Sequence, residues 1–169
     1  GILIGTQTGI KSVQLYVSIY MINLLGIFTC ILCLKNKING YYLENINNYS
    51  GLLKRNSFLS FSLAILLFSL AGLPPLSGFF GKLYILVAAI ESKLYLLSII
   101  AVVTSIISAF YYLKIIKTIF FDKPSNEIYI KKNLISKFII CMSVFIGIFL
   151  ILFLSNFLFF INSSLLNIF

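Results

Sequence analysis

The sequence contains no histidine and no tryptophan, and only four of its 169 residues are acidic. Without histidine, the chain lacks the usual ligand of haem and copper and the side chain most often used to relay protons near neutral pH. Any proton chemistry must therefore use lysine, glutamate, tyrosine or water. Cys30 and Cys33 have a C-x-x-C spacing, but they lie at the end of an apolar stretch, with Cys141 the only other cysteine. We interpret Cys30 and Cys33 as ordinary buried cysteines and predict no metal or redox site.

Charge is also scarce, at 10% of residues, whereas hydrophobic residues make up 60%. A chain of this size cannot bury so much apolar surface in one water-soluble core, so lipid must be the solvent. Stretches such as Phe138 to Phe149 are apolar on every face, which excludes the alternating pattern of a β-barrel. The sequence predicts an all-α fold, a polytopic bundle of transmembrane helices.

The net charge of +9 comes from lysines that lie almost entirely between the apolar stretches. In a membrane protein such lysines are topology signals, and we predict no nucleic-acid partner. The expected elements are a helical remnant at 1–9, spans at about 10–34, 57–91, 94–113 and 138–161, and basic loops at 35–56 and 114–137.

The run from Ser57 to Ile90 is about 34 residues long and would make a helix of roughly 51 Å, too long for a bilayer. Glycine and proline interrupt it at Gly72, Pro74 and Pro75, where the prolines lack N–H donors. The run is therefore either a hairpin of two short spans or one span broken at 72–78.

The charges of the two loops distinguish these alternatives. Both 35–56 and 114–137 are rich in lysine, so both should face the side of the membrane that favours positive loops. A hairpin would put the two loops on opposite sides, whereas one broken span followed by the span at 94–113 puts them on the same side. We predict one discontinuous helix.

Lys82 is the only charged side chain between Arg55 and Glu91. An ammonium group in the membrane costs several kcal/mol and is normally kept where protein or water surrounds it and where it has a function. Broken helices survive in similar surroundings. Lys82 could simply extend to the membrane interface from a helix end, beside a structural kink. The alternative, which we favour, is that Lys82 gains and loses a proton.

A second set of candidates consists of hydroxyl side chains. Thr104, Ser105 and Ser108 lie at i, i+1 and i+4 of one predicted span, where they could line a channel or pack against neighbouring helices. Ser77, within the break, is a further candidate lining residue.

The segment from Ser69 to Lys82, SLAGLPPLSGFFGK, resembles the signature of NADH dehydrogenase subunit 2, the subunit N of bacterial complex I. The segments from Ser105 to Lys114 and from Gly5 to Val13 are similar to neighbouring parts of the same family, so that the resemblance covers roughly residues 1–121.

The resemblance implies a proton-translocating, antiporter-like subunit of the membrane arm of respiratory complex I. It implies that Lys82 transfers protons on the central hydrophilic axis and that five residues shape the break: Gly72, Pro74, Pro75, Gly78 and Gly81. It also implies that NADH, FMN, iron–sulfur clusters and ubiquinone are bound by other subunits, and that this chain has no redox centre of its own. The expected partners are the other membrane-arm subunits and lipid.

The first half of the family's sequence has no counterpart here, so either a separate chain supplies those helices or the subunit is reduced. Two other functions remain open: a subunit of a multi-subunit cation/proton antiporter, and a structural scaffold without its own proton path. The composition, rich in Ile, Phe, Asn, Lys and Tyr, is typical of AT-rich organellar genes. It favours the mitochondrial inner membrane over a bacterial or other energy-transducing membrane.

Overall fold

The computed structural model describes residues 4–36, 45–124, 128–130 and 133–150. Its elements in chain order are α1 (Gln7–Leu32), β1 (Leu34–Asn36), a 3-10 turn (Ile46–Tyr49), α2 (Leu52–Arg55), α3 (Ser57–Ala71), α4 (Ser77–Glu91), α5 (Tyr95–Phe121), β2 (Ile128–Ile130) and α6 (Leu134–Phe149). α1 and α5 are long and apolar enough to cross a membrane, and α3 and α6 are shorter apolar helices. The predicted all-α class with a discontinuous helix is confirmed.

α1 and α6 begin at polar caps that the hydrophobic pattern does not reveal. Thr6 accepts a hydrogen bond from the Gly9 N–H at 3.1 Å, so α1 includes residues that we predicted to be a separate remnant. Asn133 accepts one from the Ile135 N–H at 3.2 Å and starts α6 before the predicted span. The rest of that span, 151–161, lies outside the described residues.

α5 extends into the segment that we predicted to be a loop from 114 to 137. Ile116 and Ile119 are 8% and 0% exposed, whereas Lys114 and Lys117 are exposed. The last turns of α5 are therefore amphipathic, and burial of their apolar face carries the helix on to Phe121. Positions 37–44, 125–127 and 131–132 of the two predicted basic loops lie outside the described residues.

α3 and α4 follow each other along α1 rather than lying side by side. Gly26 of α1 lies beside Leu66 of α3, and towards the N-terminus of α1 Tyr16 lies beside Gly81 of α4. α3 and α4 therefore run in the opposite direction to α1. This order places the break between α3 and α4 against the middle part of α1.

The two basic segments meet at one end of the bundle. β1 pairs with β2 in an antiparallel ribbon, with Leu34 opposite Ile130 and Lys35 opposite Tyr129. Below the ribbon, the apolar core joins α1, α3, α5 and α6, and its most buried side chains include Leu34, Leu52, Leu66, Ile119 and Ile140.

Candidate functional site

The break begins where α3 ends on a glycine. Gly72 has φ 85° and ψ 37°, a left-handed conformation that glycine adopts without steric cost. The N–H groups of Gly72 and Leu73 donate to the carbonyls of Ser69 and Phe68 at 3.0 and 3.1 Å. This Schellman arrangement satisfies two of the carbonyls that a helix end leaves free. The carbonyl of Ala71, the last residue of α3, accepts from a side chain of α4.

An exposed turn containing Pro74 and Pro75 separates the two helices, and the peptide bond between these prolines is cis. The Leu76 N–H donates to the Leu73 carbonyl at 3.1 Å and closes the turn. Because proline has no N–H and collides with the preceding turn of a helix, α3 cannot continue through this segment.

The first turn of α4 packs directly against the last turn of α3. Gly78 donates its N–H to Ser69 Oγ at 3.2 Å. A Cβ atom at position 78 would overlap the Ser69 carbonyl, so only glycine permits this approach. The hydroxyl of Ser77, which is 2% exposed, lies 3.3 Å from Ser69 Oγ. Ser69 thus joins the two helices across the break.

Lys82 donates a hydrogen bond to the C-terminal end of α3. Its Nζ donates to the Ala71 carbonyl at 3.0 Å. To reach it, the partly buried side chain passes over Gly72, where a Cβ atom would meet Lys82 Cδ at 3.0 Å and Nζ at 3.3 Å. The carbonyl end of a helix carries partial negative charge, which stabilises a cation there. The break therefore creates an acceptor for the ammonium group without a carboxylate.

Lys82 lies at mid-height of the bundle. The adjacent Gly81 faces Tyr16 and Ile19, where a Cβ atom would be 3.3 to 3.4 Å from their side chains. Tyr16 and Ile19 are near the middle of α1, whose 26 residues make a helix of about 39 Å. Lys82 is consequently far from both ends of α1.

A cavity of about 240 Å³ lies between α4 and α5 and includes Lys82 in its wall. Ser105 from α5 contributes the other polar side chain of the lining, and Phe79, Leu83, Leu86, Val102, Ile106 and Ala109 make most of the rest. The cavity is open to the surface of the bundle, since Leu83, Val102 and Ile106 in its lining are exposed. Of the predicted hydroxyl residues on α5, Ser105 is the one that lines this cavity together with Lys82.

Thr104 and Ser108 lie outside this lining. Their hydroxyls donate to backbone carbonyls one turn earlier on α5, at 2.9 Å to Ile100 and 2.9 Å to Thr104 respectively. Ser105 makes the same kind of bond, to the Ala101 carbonyl at 2.7 Å, so its place in the cavity lining is what distinguishes it from Thr104 and Ser108. Ser77, by contrast, is buried in the contact with Ser69 rather than in the cavity.

Asn23 is a residue of the site that our sequence analysis missed. It is 1% exposed, and its Nδ2 donates to Ser69 Oγ at 3.0 Å, which links α1 to the break. The signal was available, because an amide in the middle of an apolar helix normally packs inward and hydrogen-bonds to another helix.

These features define a class of protein: an integral membrane protein with several helices, in which a cationic side chain lies at mid-height beside a broken helix and a cavity. The family described as NADH:quinone oxidoreductase/Mrp antiporter, TM, matches residues 1–108. The chain belongs to this family.

Its relatives include bacterial subunits of NADH-quinone oxidoreductase. The chain is 46% identical over 127 residues to subunit N 1 of Rhizobium meliloti, which covers 75% of this chain and 26% of the relative. It is 49% identical over 127 residues to subunit N of Pelagibacter ubique, with the same coverage of 75% and 26%. Subunit N of Bartonella bacilliformis is 39% identical over 153 residues, 90% of this chain and 31% of the relative.

The fold is also similar to a solved structure. A chain of respiratory complex I from Thermus thermophilus, solved with bound aureothin, matches with a TM-score of 0.70 and 23% identity. The match covers 86% of this chain and 34% of that one. The chain thus spans about a quarter to a third of the length of the relatives that it matches.

Proposed function

We propose that this chain is part of a proton-translocating, subunit N-like component of the membrane arm of NADH:quinone oxidoreductase, and that Lys82 transfers the proton. The observation that carries the proposal is the position of Lys82, at mid-height of an apolar bundle, bonded to the carbonyl end of a half-helix and open to a cavity. An ammonium group is kept in such a place where it has a function.

The chemistry of Lys82 follows from its neighbours. When charged, the ammonium is stabilised by the Ala71 carbonyl and the end of α3. When neutral, the amine can still donate to that carbonyl, and its lone pair can accept a proton from water in the cavity beside Ser105. Both protonation states thus have hydrogen-bonding partners, which is what a group that stores and releases a proton requires.

The charge that balances Lys82 comes, in this proposal, from another chain or from water. The four acidic residues of the sequence are at positions 44, 91, 122 and 127, all outside the apolar interior of the predicted spans. A separate chain that supplies the family's other helices would bring further polar groups. The exposed apolar surface of α5, including Leu96, Ile99 and Phe110, is suited to such helices and to lipid.

The orientation in the membrane follows from the basic segments. β1 and β2 bring the two segments to one end of the bundle, and exposed lysines such as Lys54 and Lys117 belong to these segments. We propose that this end faces the side that retains positive loops, with α3 and α4 forming one broken span. The membrane would be the mitochondrial inner membrane, although the relatives described above are bacterial.

NADH, FMN, iron–sulfur clusters and ubiquinone would be bound by other subunits of the complex. Within the described residues, no three His, Cys, Asp or Glu side chains are grouped as a metal site would require. This chain would contribute proton transfer, and the redox energy would reach it through the assembly.

Purification of the native assembly through a tag on this chain tests the proposal. We expect the tag to recover redox subunits and, after reconstitution, NADH oxidation that acidifies one side of the vesicle. Since the family also includes Mrp antiporters, the second candidate is a cation/proton antiporter subunit. Recovery of an assembly that exchanges Na⁺ for protons without NADH, and that contains no redox subunit, would favour that candidate and reject the first.

A further inference from the structure

Asn23 has a second polar atom that its contact with Ser69 leaves unused. The Nδ2 group donates to Ser69, but the buried Oδ1 has no hydrogen-bond donor among the described residues. Leaving a buried carbonyl oxygen unpaired costs about 1–3 kcal/mol, and most such oxygens in folded proteins are paired with protein or with ordered water. This amide therefore indicates a site for a hydrogen-bond donor.

The surroundings of Oδ1 offer space for such a donor. α6 passes α1 at Gly147, a buried glycine, and a Cβ atom placed there would lie 3.7 Å from Asn23 Oδ1 in ordinary contact. Glycine thus leaves a notch between the two helices at the amide oxygen. Ser143, which is 5% exposed, lies one turn earlier on the same face of α6 and adds a hydroxyl to this interface.

The Nδ2 group of Asn23 is linked, through hydrogen bonds across the break, to the helix that carries Lys82. Ser69 Oγ accepts from Asn23 Nδ2 at 3.0 Å and from the Gly78 N–H at 3.2 Å. With both lone pairs used, its own proton points to Ser77 Oγ at 3.3 Å. Because Gly78 lies in the first turn of α4, one turn before Lys82, these bonds hold the helix that carries the lysine.

We propose that Asn23 is a positioning residue for Lys82 and that its amide oxygen binds an internal water in the Gly147 notch. The water orients the amide so that Nδ2 faces Ser69, and Ser69 then fixes the start of α4. The role in proton transfer rests on the function proposed above, whereas the water and its effect on the break do not.

Two substitutions separate the parts of this arrangement. Gly147→Ala fills the notch and excludes the water without replacing any residue that bonds to Ser69. Asn23→Leu removes the amide altogether. Ser12→Ala is the matched control, since Ser12 is also a buried polar residue of α1 but donates to its own helix at the Thr8 carbonyl, 2.7 Å away.

The direct measurement is a high-resolution structure of the assembled complex. We expect a water within hydrogen-bond distance of Asn23 Oδ1 in the wild type and none in Gly147→Ala. A protein side chain that donates to Oδ1, or an amide oxygen with nothing bound to it, would overturn the proposal.

Hydrogen exchange of residues 76–82 in the same complex tests the positioning role independently of pumping. Loss of a hydrogen bond worth about 1 kcal/mol corresponds to roughly fivefold faster exchange. We expect that increase in Asn23→Leu, a smaller one in Gly147→Ala, and none in Ser12→Ala. Unchanged exchange in both test variants would overturn the role of Asn23, even if Lys82 pumps as proposed.

The third measurement is the number of protons pumped per NADH. In assembled Gly147→Ala complex we expect fewer protons per NADH, about half the wild-type ratio, at an unchanged rate of NADH oxidation. A purely structural defect would instead lower the amount of assembled complex and leave the ratio unchanged, which would contradict the positioning role. If Lys82→Met pumps normally while exchange responds as expected, the proton-transfer function fails and the water site stands.

Discussion

Substitution of Gly78 by alanine should separate α4 from α3 at the break. The added Cβ would overlap the carbonyl of Ser69, which is helix backbone and can move only together with the end of α3. Such overpacking typically costs about 1–3 kcal/mol. Displacement of Gly78 also breaks its 3.2 Å hydrogen bond to Ser69, for about 1 kcal/mol more. We therefore expect a total destabilisation of about 2–4 kcal/mol.

Gly81→Ala is the matched control, because it adds the same methyl group to the same helix. Its Cβ would lie 3.3 Å from Tyr16 Cδ2 and 3.4 Å from both Ile19 Cδ1 and the backbone Cα of Tyr16, which is tight contact rather than overlap. The assay heats the purified assembly and measures the temperature at which half of this chain has dissociated from it, for both variants and the wild type. A Gly78→Ala assembly as heat-resistant as Gly81→Ala would refute the close packing at the break.

Three further predictions concern the site and the packing around it. Lys82→Arg keeps the positive charge but cannot readily release a proton, so NADH-driven proton pumping should fall at least about tenfold in assembled complex, and wild-type pumping would argue against a titrating lysine. Ser105→Ala removes a hydroxyl from the cavity that Lys82 also lines, and it should lower the pumping rate about twofold. Its control, Thr104→Ala, changes a hydroxyl outside the cavity and should leave that rate unchanged. Gly26→Ala would place a Cβ 2.6 Å from Leu66 Cδ1 and 2.7 Å from Ser143 Cβ, so the yield of assembled complex should fall severalfold on a native gel.

The break was predictable from the sequence because its causes are local. A long apolar run must be interrupted to fit a bilayer, and Gly72, Pro74 and Pro75 specify where. The position of Lys82 relative to α3 was not predictable in the same way. It depends on the absence of side chains at Gly72 and Gly78, whose contacts come from residues several positions away in the chain.

Helix ends were predicted less well, since hydrophobicity does not mark them. Thr6 and Asn133 start their helices through single side-chain hydrogen bonds, and the apolar face of Ile116 and Ile119 extends α5 past Lys114, where the sequence predicts a loop. Asn23 was missed for a different reason. It carries no charge that would mark it within an apolar span, and its importance lies in a neutral hydrogen bond to another helix.

The most direct test of the central claim is the number of protons pumped per NADH by assembled Lys82→Met complex. Methionine keeps most of the length and apolar character of lysine but can neither bond to the Ala71 carbonyl nor carry a proton. Lys93→Met, at the exposed turn after α4, is the matched control. The account predicts that the ratio falls well below wild type for Lys82→Met and stays at wild type for Lys93→Met. A wild-type ratio in fully assembled Lys82→Met complex would contradict proton transfer through Lys82.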